Sequence, residues 1–335
     1  MIDPAGFALA EEVEDLRDAA ARFARDVLAP AARDHERAGR WPQAVQAVVE
    51  GFGEDLDRCH AQVVLLETLA AGDAGGLPAA DRPGPAGGAV DACPDRSLAT
   101  ATDAVLLVTG DVETPERVAW APGGLPPRRR VWVSSGDRLR LLEVAGEPEP
   151  VEALAFGASG GVSFDLAAAR VLGDWTLPVG GGLAVRGRAR LWAAAVAVGV
   201  GQAAFDATVA YTTERVVFGK PVAHHQANAF DLAALATGIH GARLAVRDAA
   251  ASFDAADAAA GFWATEAWAE AIDAAVAMSE AGIQLLGGHG FLVDHLAEKR
   301  FREARMLGLL FGGRDAALDD LAGAVLDVPD PLLGA

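Results

Sequence analysis

The chain has 335 residues, of which 52% are hydrophobic, and 28 Lys and Arg stand against 47 Asp and Glu for a formal net charge of −19. That length exceeds a typical single domain, so two or three subdomains sharing a core are expected, and the acidic surplus excludes nucleic acid or an anionic membrane surface as the main partner. The two cysteines, Cys59 and Cys93, lack metal-ligand spacing, no basic-then-apolar leader is present, and no uncharged apolar run reaches about 18 residues; a cytoplasmic protein with reduced thiols, no metal and no membrane span is expected.

Along the chain, Leu9, Val13, Leu16, Ala20, Phe23, Val27 and Leu28 recur three and four apart, which predicts an amphipathic helix over 8–38 that Pro30 ends or kinks. Short helices over 42–51 and 56–71 complete an N-terminal helical domain, residues 1–71. Residues 72–98 are dominated by Gly, Pro and Ala without periodicity and read as a linker. Between 99 and 185, β-rich runs at 104–108, 130–134, 138–144, 161–164 and 170–172 alternate with Gly, Pro and Asp, predicting a small β-domain, a barrel or curved sheet in which Trp132 packs as an ordinary buried aromatic. Four alanine-rich helices, 187–213, 225–255, 262–286 and 296–325, each carry a continuous apolar stripe. They predict a four-helix bundle over 186–328 and an α+β, mostly α class. Trp263, Trp268, Ile272 and Val276 fall near one face, as core or subunit interface.

Two clusters in the bundle carry chemistry. At Tyr211–Gln226 a helical run ends in a charged, aromatic corner: Gly219, Lys220 and Pro221 break the helix, and Arg215 and Gln226 stand on either side of the break. A guanidinium there can fork onto a phosphate, and a carboxamide can read a base edge or a ribose. The second cluster is Gln284-Leu-Leu-Gly-Gly-His-Gly-Phe291, a helix end followed by a turn of the kind whose backbone N–H groups hold anions. His289 lies in that turn with no catalytic role assigned, and the adjacent His224 and His225 diverge on a helix and do not form a metal site. Arg302 and Arg305 with Glu298 and Glu303 have the spacing of structural ion pairs.

The ordered set Tyr211, Arg215, Phe218-Gly219-Lys220-Pro221, Gln226, then Gln284, Gly287, Gly288, Gly290 and the Arg-Glu-Ala-Arg run at Arg302–Arg305 resembles the C-terminal helical domain of the acyl-CoA dehydrogenases over roughly 185–325. Phe23-Ala-Arg and Trp41-Pro42 resemble that family's N-terminal helical domain in compressed form. The resemblance implies that the two clusters grip the pyrophosphate and adenosine of FAD bound in a neighbouring subunit, and that the substrate is an acyl-CoA.

Dehydrogenation between the α and β carbons requires a carboxylate base. By the same resemblance the base stands at one of two positions, here Phe311 and Ala189, and neither is an acid. Gly313 replaces the family's flavin-contacting threonine, and the β-domain segments that cover the flavin ring are not found in 75–185. Arg190 either contacts a CoA thioester or ties down an Asp or Glu in the core. The resemblance therefore implies the non-catalytic subunit of a heterotetramer, lending Arg215, Phe218, Gln226, Gln284, Gly287, Gly288 and Gly290 to the FAD of a catalytically complete partner, with a steroid side-chain or other bulky acyl-CoA as substrate. The alternatives are a homo-oligomeric flavoenzyme of other chemistry, such as a flavin-dependent oxygenase, and a non-redox scaffold.

Overall fold

The structure, a computed structural model, describes residues 10–53, 56, 58–80, 84–99, 105–108, 118–122, 130–144, 149–151, 153–164, 166 and 169–327. At the N-terminus, α1 (Glu11–Phe23) passes through a π-helical turn, Ala24–Leu28, into α2 (Ala29–Ala38). Pro30 therefore does not end the helix. A proline has no N–H for the carbonyl four residues back and crowds it; the wider turn just before Pro30, closed by Ala29 N–H onto Ala24 O, relieves that crowding. Next come α3 (Gln43–Gly53) and α4 (Cys59–Asp73), close to where periodicity placed them.

The expected linker is instead packed structure. A 3-10 turn at Ala74–Gly76, α5 (Leu77–Ala80), a second 3-10 turn at Gly84–Ala86 and α6 (Gly87–Ala92) run through the core, burying Leu77, Ala80, Ala86, Ala89 and Cys93. Its glycines mark close approach: a Cβ at Gly76 would fall 2.1 Å from the Trp41 ring, and one at Gly72 would fall 2.7 Å from Ala24 O. Cys59 and Cys93 are both free and buried.

The middle region forms two small sheets rather than a single barrel. In the first, β1 (Val105–Val108) lies parallel to β3 (Arg130–Ser135), which pairs antiparallel with β4 (Arg138–Glu143) and then β7 (Arg170–Thr176); in the second, β2 (Val118–Pro122) and β5 (Glu149–Val151) flank β6 (Gly161–Phe164). Trp132 on β3 is fully buried, its ring centroid 6.1 Å from that of Trp175.

The β3–β4 turn fixes the start of α7 (Gly181–Glu214), because the Asp137 carboxylate accepts the N–H groups of Gly182 at 2.9 Å and Gly180 at 3.2 Å. A hairpin of β8 (Val216–Val217) and β9 (Lys220–Pro221) leads to α8 (Gln226–Asp254), then α9 (Ala260–Leu286). At its far end α8 caps α4: Asp254 accepts from Cys59 N–H at 2.6 Å and His60 N–H at 3.1 Å. Small residues let the helices touch; a Cβ at Gly187 would meet Gly261 O at 2.6 Å. The expected fourth helix is two, α10 (Ala297–Leu307) and α11 (Gly313–Asp327), parted by a turn in which Phe311, Gly312 and Gly313 have φ of 54°, 90° and 71°. The stretches Cys59–Ala80 and Gly181–Glu214 are long and apolar enough to cross a bilayer, which the sequence reading did not anticipate, but both are mostly buried inside the protein.

N-terminal helices and bundle are joined by a buried polar knot centred on Asp73. Its carboxylate accepts from Lys299 Nζ (2.8 Å), His35 Nδ1 (2.9 Å), Trp41 Nε1 (2.8 Å) and Gly75 N–H (3.0 Å), and Lys299 also reaches Glu303 Oε1 at 2.5 Å. Burial works to raise the Asp73 pKa, but the Lys299 charge and the donated hydrogen bonds outweigh it and leave the group at about 2. Burial pushes Glu303 up, and Lys299 offsets this only in part. Of two carboxylates sharing one ammonium, the one with more donors has the lower pKa.

Because the folded pKa of Asp73 lies below its unfolded value near 4, its contribution is fully present above pH 4 and is lost as pH falls through 2; it amounts to about 2–3 kcal/mol. Asp73→Asn is expected to cost about 3–5 kcal/mol at pH 7 by unpairing a buried ion. In urea unfolding the gap between wild type and variant should narrow as pH drops from 4 toward 2; a gap independent of pH contradicts an ionised Asp73.

Candidate functional site

The first motif cluster surrounds the α7–α8 corner. Arg215 ends α7, its N–H bonded to Tyr211 O at 2.9 Å and its carbonyl accepting from Val222 N–H at 2.8 Å. The hairpin that follows turns on Phe218 and Gly219, with φ of 52° and 82°; two successive left-handed residues match the twist of a tight two-residue hairpin. The sequence reading placed a simple break here, whereas the structure adds a ladder that holds Phe218 outward, 95% exposed. His225 Nε2 lies 3.1 Å from Val217 O and Asn228 Nδ2 donates to Val222 O at 2.9 Å, so both tie the corner down rather than facing a ligand. Gln226 opens α8 and is exposed.

The second cluster closes α9. Gly287, with φ of 60° and ψ of −135°, has a conformation that side chains rarely adopt, and a 3-10 turn, Gly287–Phe291, follows it. The glycines differ in what requires them. A Cβ on Gly290 would fall 2.3 Å from Ile283 O, whereas one on Gly288 would meet nothing within 4 Å. The clusters meet at one point, where the Tyr211 hydroxyl lies 3.0 Å from His289 Nδ1 and His295 packs edge-on to both rings. Arg215, Gln226 and Gln284 are all exposed, and among the described residues their side chains form no hydrogen bond or ion pair. A Cβ-free Gly288 leaves open space at the turn itself.

The two positions expected of a catalytic base lie together inside the bundle. Ala189 is fully buried, and the next residue, Arg190, directs Nη2 to Phe311 O at 3.3 Å. Neither Ala189 nor Phe311 carries a side chain that can accept a proton. Arg190 Nη1 donates to Asp320 Oδ2 at 2.6 Å, Arg186 Nη2 donates to Asp320 Oδ1 at 2.5 Å, and the Arg190 guanidinium stacks 6.0 Å from the Trp268 ring centroid. Arg190 thus ties down an aspartate from α11. Asp320 feels burial pushing its pKa up, but two guanidiniums outweigh this and hold it below the ordinary carboxylate range, which makes it a poor base.

A separate cavity of about 830 Å³ lies between α3, α4, α6 and α7, lined by Val49, Leu65, Leu69, Leu77, Leu191 and Trp192. Neither Ala189 nor Phe311 reaches it. Cys59 does, but burial pushes its thiol up to about 12, so it is not a nucleophile near neutrality.

Residues 186–326 match the family described as acyl-CoA dehydrogenase, C-terminal domain. Over this stretch the chain resembles the C-terminal domain of acyl-CoA dehydrogenases. Over 123 residues the chain is 36% identical to the cyclohex-1-ene-1-carbonyl-CoA dehydrogenase of Geobacter metallireducens, covering 37% of this chain and 32% of that one. The match thus spans about a third of the length of such relatives. Over nearly the whole chain the fold is that of acyl-CoA dehydrogenases: the butyryl-CoA dehydrogenase of Megasphaera elsdenii superposes with a TM-score of 0.75 at 17% identity, covering 97% of this chain and 100% of that one. The Tcur3481–Tcur3483 steroid ACAD does so with a TM-score of 0.73 at 21% identity, covering 94% and 98%.

In this C-terminal region the ion pairs expected on the last helices are present in altered form. Arg302 bonds Glu298 at 2.7 Å and also pairs with Glu36 at 2.8 Å, while Glu303 turns inward to Lys299 and Arg305 lies over the Phe301 ring. Sequence reading missed His35, Asp73, Lys299, Arg186 and Asp320. Lys299 and Glu303 stand at i and i+4, a spacing that could have flagged them, but that segment is charged on every face.

Two substitutions test this geometry. Asp320→Asn leaves two buried guanidiniums short of a counter-charge and is expected to cost about 3–5 kcal/mol in urea unfolding. Gly290→Ala is expected to lower the melting temperature by several degrees, whereas Gly288→Ala should leave stability within about 0.5 kcal/mol.

Proposed function

We propose that this chain is the non-catalytic subunit of a heteromeric FAD-dependent acyl-CoA dehydrogenase, contributing to a cofactor that the partner holds. The observation that carries the reading is the contrast between two places in one domain. Where a base would act stand Ala189 and Phe311, and the neighbouring Arg190 is engaged by Asp320 and the Phe311 carbonyl. Where a neighbour's FAD would lie, Arg215, Gln226 and Gln284 remain unpaired and the turn above Gly288 is open.

In this reading Arg215 forks onto the pyrophosphate, the N–H groups of the Gly287–Gly290 turn donate to its remaining oxygens, Gln226 and Gln284 select the adenosine end, and Phe218 packs against it. When bound, FAD supplies the acceptor for the β hydride. The α proton is taken by a carboxylate of the partner, since Asp320 is held ionised and engaged by Arg186 and Arg190. The substrate is an acyl-CoA thioester, and likeness in fold to a steroid ACAD supports a bulky acyl group such as a steroid side chain.

Co-expression with a catalytically complete acyl-CoA dehydrogenase tests the reading. The chain purified alone should be colourless, and the complex should carry flavin absorption and oxidise an acyl-CoA. Arg215→Ala and Gly288→Ala should reduce the flavin content of the complex at least tenfold at limiting FAD, the cost of a charge-assisted contact of about 1.4 kcal/mol or more, without lowering the melting temperature of the chain alone. Stoichiometric FAD with turnover in the isolated chain would sink the proposal.

A further inference from the structure

The seam between α7, α9 and α10 encloses a second cavity, of about 60 Å³, lined among others by Thr208, Tyr211, Ser279, Gly282, His295 and Arg300. Arg300 is the unusual member. Its neighbours on α10 are paired, Lys299 with Asp73 and Glu303, Arg302 with Glu298 and Glu36. Among the described residues the Arg300 side chain forms no hydrogen bond or ion pair. Burial pushes its pKa down, and the fields of Glu303 and Asp206 compensate in part. Neither acid forms an ion pair with it: Glu303 Oε1 accepts from Lys299 at 2.5 Å and Asp206 Oδ1 accepts from Gln202 Nε2 at 2.9 Å.

A guanidinium does not lose its proton inside a protein, so the charge stays, and a partly desolvated cation without a partner is costly. The cavity beside it is lined by groups able to donate: the hydroxyls of Thr208 and Ser279, which now donate to the carbonyls of Ala204 and Ala275 four residues back, and the ring of His295. α10 also begins at this wall with no side chain capping its first N–H groups, which adds positive potential at the same end. The volume suits an ion and a water or two, and is far too small for a nucleotide.

We propose that this cavity binds one small inorganic anion of halide size, with Arg300 as its principal ligand. The ion completes the charge balance of α10 and braces the wall that carries Tyr211, whose hydroxyl reaches His289 in the glycine turn 3.0 Å away. The site does not depend on the flavin reading, since it lies within the bundle of this one chain.

The test compares thermal unfolding of the full-length chain in sodium chloride and in sodium gluconate at matched ionic strength, because gluconate is too large to enter. Wild type should melt about 2–4 °C higher in chloride at concentrations well above the dissociation constant, and Arg300→Met should melt at the same temperature in both salts. Crystals of the wild-type protein grown in sodium bromide should show an anomalous peak within hydrogen-bonding distance of the Arg300 guanidinium. An equal response of wild type and variant to the two salts, or a cavity without an anomalous peak, overturns the proposal.

Discussion

A single ammonium shared by two carboxylates holds this molecule together. Lys299 comes from the last third of the chain, Asp73 from the end of α4, and His35 and Trp41 from the first helices, so three regions remote in sequence meet at one buried point. The arrangement is asymmetric by construction: four donors converge on Asp73, while Glu303 has only the lysine it shares. A buried ion cluster of this sort adds little net free energy over an apolar one, but it tolerates no other register, because any slip of α10 against α4 would leave a charge stranded. With α10 so placed, the glycine turn before it and the Phe311 turn after it are positioned as well.

The same logic of paired buried charge explains why the interior beneath Phe311 reads as structural. Arg186 and Arg190 stand one helical turn apart on α7 and converge on Asp320, so the N-terminal part of this long helix is locked to α11 and, through Arg186 and Gly136 O at 2.6 Å, to the β3–β4 turn. Chemistry that needs a carboxylate free to change its protonation state has no place in such a lock. The exposed end of the bundle has the opposite character, with polar side chains of the α7–α8 corner and the α9 turn left unmatched within their own chain. In the reading proposed above, that difference divides one active site between two polypeptides.

What was legible in the sequence follows from how local each signal is. The long helices and the two motif clusters could be read because their periodicity, prolines and glycines act within a few residues. The strands β3, β4 and β6 fell within a residue of their expected positions for the same reason. Residues 72–92 could not be read from composition alone, because a glycine that admits the Trp41 ring and a glycine in a flexible tether are identical until the ring is in place. Pro30 was a fair stop signal, overridden by a π turn that only the packing of α4 against Ala24 and Leu28 explains. The buried charges were hidden because each needs a partner far along the chain. In a region dense with Glu, Lys and Arg, nothing in the sequence distinguishes the side chain that turns inward.

The caps on α4 also bear on how the protein is made. Its first N–H groups rest on Asp254, 195 residues downstream of Cys59, and its last residue waits for Lys299, 226 residues after Asp73. At a translation speed of about 5–20 residues per second, roughly 10–45 s separate the emergence of Asp73 from the ribosome and that of its ammonium partner. For that interval α4 can pack against α1 and α2, and Asp73 can take its His35, Trp41 and Gly75 donors, but the ammonium that balances its charge is missing. The N-terminal helices can therefore assemble early, but their charge balance is completed only when α10 has been made.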